Sequence, residues 1–256
     1  MPTLKNKDGL NQSEKNIKSA NRYDEYWDKS EGTNFVKLEN FTKYVPRESI
    51  TRFLARNEIF KMQLHIHGSV LDFGVRRGAS LMTWAQLSSI YEPVNYTREI
   101  IGFDTFDGFP SVNEKDNLND KSNKEIIYTG SFNCEDGMKT DLEESISIWN
   151  ETRYLNHMEK AKLIEGDILE TLPKFLEENP HLVVSLLHID VDLYEPTKLI
   201  LELVLPRMPK GSVILFDELH LRAFPGETVA VHEIVGIHNL KINRFNFSPN
   251  ISYSIL

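Results

Sequence analysis

LVVSLLHIDVDLYEPT, residues 182–197, and GSVILFDE, residues 211–218, are the stretches from which the fold can be read. Each is an apolar run of strand length that ends in acids: His188-Ile-Asp190-Val-Asp192-Leu-Tyr194 in one, Phe216-Asp217-Glu218 in the other. An unbroken apolar run bounded by polar residues marks a strand covered on both faces. Working outward, SVLDFGV (69–75), IIGFDTF (100–106) and AKLIEGD (161–167) read the same way. Helical stretches lie at 46–64 and 78–91, and then at 142–158, 168–179 and 195–208. Strands alternating with helices predict βαβ crossovers, hence an α/β fold with a mostly parallel sheet and helices on both faces. The tail adds a helix at 227–238 and two strand candidates, KINRFNF (241–247) and ISYSIL (251–256).

The 256 residues carry 29 Lys+Arg against 38 Asp+Glu, a formal charge of −9. That balance argues against nucleic acid or an anionic membrane as a partner, because a phosphate surface needs a basic footprint. A single cysteine, Cys134, leaves no intrachain disulfide and no thiolate zinc site, which makes a reducing cytoplasm the expected setting. No apolar run is long enough to span a bilayer, and the N-terminal stretch lacks the apolar segment of a signal peptide. Residues 1–40 read as a polar arm, and 41–256 as one domain. Within that domain, the polar stretch 110–140 is too long for an ordinary connection and is expected to be a lid over a site or an excursion.

In a parallel sheet, ligands bind beyond the carboxyl ends of the strands, where the strand order reverses. The polar residues at those ends are therefore the candidates. The first run ends in Asp72-Phe-Gly74-Val-Arg-Arg-Gly78-Ala-Ser80, where two glycines four apart allow a tight turn and a close backbone approach. The second ends in Asp104-Thr105-Phe106, and a carboxylate there can accept two hydrogen bonds from a ribose diol. Asp167 can cap the helix that follows it or meet an adenine amino group. If the fourth and fifth strands are neighbours, about 5 Å apart, Asp190 and Asp217 converge, with Asp192 and Glu218 close by. Four carboxylates on one rim repel unless a cation or protons compensate, and a set of oxygen donors suits a hard ion such as Mg²⁺. Glu227, in FPGET (224–228), reads as an acid near the first turn of a helix, where the dipole favours it.

Together FGVRRGAS, IIGFDTFDGFP, LHIDVDLYEPT, ILFDE and FPGET resemble the macrocin O-methyltransferase (TylF/MycF-type) family from about Phe41 onward, looking closest to its calicheamicin-pathway rhamnose type. The resemblance implies a class I, Rossmann-like methyltransferase fold of seven strands with the last antiparallel. It also implies S-adenosylmethionine as cofactor, Mg²⁺ or another hard divalent cation, and a sugar hydroxyl as acceptor. By position, cofactor contacts fall on Asp72, Gly74, Gly78, Ser80, Asp104, Thr105, Phe106 and Asp167. The metal carboxylates fall on Asp190, Asp217 and Glu218, and a general base on Asp192, so that Asp190 and Asp192 carry the catalysis. Self-association is implied by the family. The rival readings on the same scaffold are a metal-dependent enzyme of another class and a non-catalytic nucleoside-binding module.

Overall fold

The computed structural model describes residues 14–117 and 126–256; residues 1–13 of the expected arm and 118–125 of the expected insertion lie outside the described residues. The chain divides into two compact units, Met1–Leu54 and Ala55–Leu256.

In the first unit, the stretch that reads as an arm carries helices α1 (Glu14–Lys29) and α2 (Asn34–Glu39), followed by one 3-10 turn at Phe41–Lys43. Aromatic packing organises it. The ring of Tyr44 stacks on Tyr26 at 5.4 Å and meets the edge of Trp27 at 5.0 Å. Lys37 Nζ donates to the Trp27 carbonyl at 2.5 Å and lies over its ring. Helix α3 (Arg47–Met62) starts just after Pro46, where proline is tolerated.

The second unit contains β1 (Ser69–Phe73), α4 (Ala79–Tyr91), β2 (Ile100–Asp104), α5 (Met138–Glu151), β3 (Ala161–Glu165) and α6 (Ile168–Glu178). It continues with β4 (Val184–Ile189), α7 (Tyr194–Val204), β5 (Val213–Phe216), α8 (Pro225–Ile234), β6 (Asn243–Phe245) and β7 (Ser248–Ile255). The sheet order is β3-β2-β1-β4-β5-β7-β6, parallel through β5, with β7 antiparallel to both its neighbours. Every residue of β1, β4 and β5 is buried, which is why these strands read as continuous apolar runs. One face packs Leu71, Phe73, Phe103, Leu187 and Ile189 against residues of α6, α7 and α8. The other packs Val70, Ile100, Leu186 and Leu215 against Phe60, Leu81 and Trp84.

Strands β1, β2, β3 and β5 each end two residues before the sequence reading placed them, and β4 ends at Ile189, so Asp167, Asp190 and Asp217 lie just beyond the strand ends. Helix α5 starts four residues earlier than expected, after Gly137 in the left-handed region, and stops at Glu151. There the Thr152 hydroxyl donates to the Trp149 carbonyl at 3.0 Å, and Arg153 donates to the carbonyls of Tyr154 and Leu155. The described flanks of the 110–140 insertion are anchored. Phe109 and Ile127 form a small core with Leu193 and Phe224, and Phe132 packs against it.

Candidate functional site

The strand order reverses between β1 and β4, and the sequence candidates fall on either side of that point. On the β1 side, Gly74 has a φ of +91°, and a Cβ there would lie 1.7 Å from the Asp190 carbonyl oxygen. The close approach that requires glycine is thus made to the chain leaving β4. Gly78, with a φ of +84°, faces the Leu142 side chain, 2.4 Å from where its Cβ would stand. Asp104 ties two loops together: Oδ2 accepts the Arg76 N–H and Oδ1 the Phe106 N–H, both at 2.7 Å. Burial raises its pKa against the pull of those two donors. A carboxylate has about four acceptor sites, so capacity for a diol remains. Thr105 Oγ1 donates to the Gly108 carbonyl at 2.7 Å, and Phe106 is buried with a φ of 58°. Asp167 caps α6, accepting the Leu169 N–H at 2.9 Å, which is the first of its two expected roles.

Asp72 and Ser80 are buried beneath this loop and engaged with each other: Ser80 Oγ donates to Asp72 Oδ2 at 2.7 Å. The other Asp72 oxygen is in short contact with Nδ1 of His188, its register partner on β4. Burial by itself would lower the His188 pKa, but the charge and hydrogen bond of Asp72 raise it above the ordinary value. His188 Nε2 is buried without a hydrogen-bond partner.

On the β4 side, the pairing of Ile189 with Phe216 sets Asp190 beside Asp217, as expected if the strands are neighbours. Ligand atoms of His188, Asp190 and Asp217 lie within 4.8 Å of one another, and so do those of Asp190, Asp192 and Glu218. Asp190 is common to both groups, while Asp217 and Glu218, expected in one ligand set, fall in different ones. Asp192 has a φ of 63°, a left-handed conformation costing on the order of 1–3 kcal/mol, of the kind that clusters at functional sites. Oxygens with no hydrogen-bond partner include Asp217 Oδ1, Glu218 Oε2 and both of Glu227. Burial first, and then the neighbouring acids, hold the carboxyls of Asp190, Glu218 and Glu227 well above the usual range. His188, and more weakly the Arg56 guanidinium, oppose this at Asp190 without overcoming burial and the acids. Leaving a carboxylate buried and uncompensated costs several kcal/mol, so these acids call for a cation or protons. The orphaned oxygens, all hard donors, fit a divalent cation of the Mg²⁺ type.

That Glu227 is buried and unpartnered beside these groups was missed, because an acid in a helix's first turn already has a sufficient explanation. The pairing of Asp72 with His188 was missed as well. An ionisable residue inside each of two adjacent, mostly apolar strands was the available signal. Asp116, in the polar insertion, is 1% exposed and accepts the N–H groups of Asn113 at 2.8 Å and Tyr194 at 2.7 Å.

The fold, with its reversed strand order and antiparallel β7, is that of the class I S-adenosylmethionine-dependent methyltransferases. The family described as a methyltransferase domain matches residues 71–219, and the chain belongs to it as an O-methyltransferase of this class. It is 32% identical to the calicheamicin methyltransferase CalS11, covering 96% of this chain and 94% of that one at a TM-score of 0.90. An apo structure of CalS11, described as a TDP-rhamnose 3'-O-methyltransferase of calicheamicin biosynthesis, matches at 28% identity, 98% of each chain and a TM-score of 0.83. The O-methyltransferase NovP shares the fold at 17% identity, 80% and 79% coverage and a TM-score of 0.59. No curated protein matches the chain significantly. Among the described residues, no helix is long and apolar enough to cross a membrane.

Proposed function

We propose that this chain methylates a hydroxyl of a deoxysugar, carried on a nucleotide or on a natural product, using S-adenosylmethionine and a divalent cation of the Mg²⁺ type. The observation that carries the reading is the position of Asp190. It is shared by both acid groups and lies at the strand-order reversal, directly across from the Gly74–Gly78 loop. The likeness to CalS11 over nearly the whole chain supports a sugar acceptor, and the macrocin-type family name rests on the same motifs.

In this reading Asp104 holds the ribose diol, the loop from Gly74 to Gly78 lies under the methionine moiety with Asp72 and Ser80 supporting it from below, and Thr105, Phe106 and Asp167 line the nucleoside. Asp190, Asp217 and Glu218 hold the cation. A cation bound there would supply Lewis-acid polarisation of a sugar hydroxyl, lowering its pKa. Asp192 would take the hydroxyl proton, leaving the oxygen's electron pair free to accept the methyl group that S-adenosylmethionine would supply, with S-adenosylhomocysteine as the leaving group. What remains is alignment of oxygen, carbon and sulfur, supplied by positioning. Residues 41–256 make up the catalytic domain, with 110–140 as an insertion that bears on the choice of acceptor and 1–40 as an N-terminal arm, and copies of the chain self-associate in the cytoplasm. Neither nucleic acid nor membrane is a partner.

The test is methyl transfer from labelled S-adenosylmethionine to TDP-rhamnose and related sugar nucleotides or glycosides. The expected result is a methylated sugar whose formation stops with EDTA and returns with Mg²⁺. Full activity in metal-free buffer would overturn the cation's role. Cofactor binding with no transfer to any sugar would overturn the activity.

A further inference from the structure

Glu227 opens helix α8, and its side chain is fully buried with both oxygens lacking a hydrogen-bond partner of good geometry. The Glu218 N–H faces it. The charges around it that bear on it most are those of Asp217 and Asp192, with Asp190 further down, all acids. The dipole of one short helix is too weak to compensate a carboxylate enclosed this way, so its first-turn position does not account for its burial.

Its location is also enforced. A Cβ on the preceding Gly226 would stand 2.0 Å from Asp116 Oδ1 and 2.6 Å from the Tyr194 N atom. That same Asp116 oxygen accepts the Tyr194 N–H, the first amide of α7. The start of α8 is therefore wedged against the start of α7, the helix that follows Asp190 and Asp192, and only glycine fits the wedge. A residue without a side chain at 226 lets the start of α8 close on the start of α7, and the next residue, Glu227, carries the buried carboxylate that interacts with Asp217 and Asp192.

We propose that Glu227 is a further carboxylate of the cation site, an outer one that accepts hydrogen bonds from the waters or sugar hydroxyls the cation carries. This rests on the reading of Asp190, Asp217 and Glu218 as cation ligands. Glu227 lies outside both groups whose ligand atoms approach within 4.8 Å, which fits outer-sphere contact. In that position it adds negative charge for the cation and fixes the orientation of what the cation binds, as outer partners of metal ligands do.

The experiment is a titration of the full chain with Mn²⁺, followed by calorimetry and by the Mn²⁺ paramagnetic resonance signal. The Glu227→Gln and Glu227→Asp variants are carried in parallel, with S-adenosylhomocysteine binding and apo melting temperature measured on each. Glu227→Gln is expected to bind Mn²⁺ about 10- to 100-fold more weakly, the range for loss of an outer partner. Its affinity for S-adenosylhomocysteine should hold and its apo melting temperature should not fall, because a buried charge has been removed. Glu227→Asp keeps the charge at shorter reach and should fall between the two. Mn²⁺ affinity unchanged in both variants would overturn the role of Glu227. Failure of the unaltered chain to bind Mn²⁺ at all would instead overturn the cation reading on which it rests.

Discussion

On the β1–β3 side of the strand-end rim, Asp72, Asp104 and Asp167 each accept hydrogen bonds from the chain itself: from Ser80, from two loop amides and from the first turn of α6. On the β4–β5 side, Asp217 Oδ1, Glu218 Oε2 and both oxygens of Glu227 have none. The contrast between the two sides lies in the partners of their acids. A satisfied carboxylate builds a rigid frame that needs no ligand to exist. A buried, unsatisfied one stores an unfavourable interaction that a cation can relieve. On the proposed reading, the half that would take the nucleoside is preformed, and the half that would take the acceptor is completed by what it binds.

The contrast can be broken most severely at its hinge. Asp190→Asn removes the carboxylate common to both acid groups, and turnover should fall on the order of 10³-fold or more while S-adenosylhomocysteine binding persists, as measured by steady-state kinetics beside calorimetry. A loss in cofactor affinity of similar size would mean the halves are not separate.

A second effect concerns pH. Asp190, Glu218 and Glu227 have folded pKa values raised above the unfolded ones, so the folded chain binds more protons in the interval between them. Their contribution to stability is complete below the ordinary carboxylate pKa and is lost as pH rises through the raised values. The apo melting temperature should therefore fall from about pH 5 toward 8, and added Mg²⁺ should raise it more at the upper end than at the lower. Scanning calorimetry in EDTA and in Mg²⁺ measures this, and an equal Mg²⁺ effect at both ends would remove the link between cation and acids.

The smallest effect belongs to the satisfied half. Ser80→Ala deprives buried Asp72 of a donor and should cost about 1–3 kcal/mol of stability. Mn²⁺ affinity should not change, since the His188 contact to Asp72 remains.

Much of this arrangement was legible before any coordinates. β1, β4 and β5 are buried at every position, and only such strands write uninterrupted apolar runs into a sequence. Once they are neighbours, the acids at their ends converge without further information. What escaped was set by contacts between distant segments. Gly74 reads as a ligand-approach glycine, yet the atom it makes room for belongs to Asp190. Glu227 looks like an ordinary helix-start acid, and only the folded chain shows it fully buried with both oxygens unpartnered. The helices of residues 14–39 were unreadable for a different reason: their composition is polar, and their order rests on a few aromatic contacts around Tyr44.

The most direct test titrates S-adenosylhomocysteine and Mn²⁺ separately into the unaltered chain, Asp104→Asn and Asp190→Asn. The expected outcome is that each ligand binds without the other, that Asp104→Asn weakens only the nucleoside ligand, and that Asp190→Asn weakens only the cation. Loss of S-adenosylhomocysteine binding in Asp190→Asn, or no Mn²⁺ binding to the unaltered chain, would contradict the division of the rim into a preformed half and a cation-completed one.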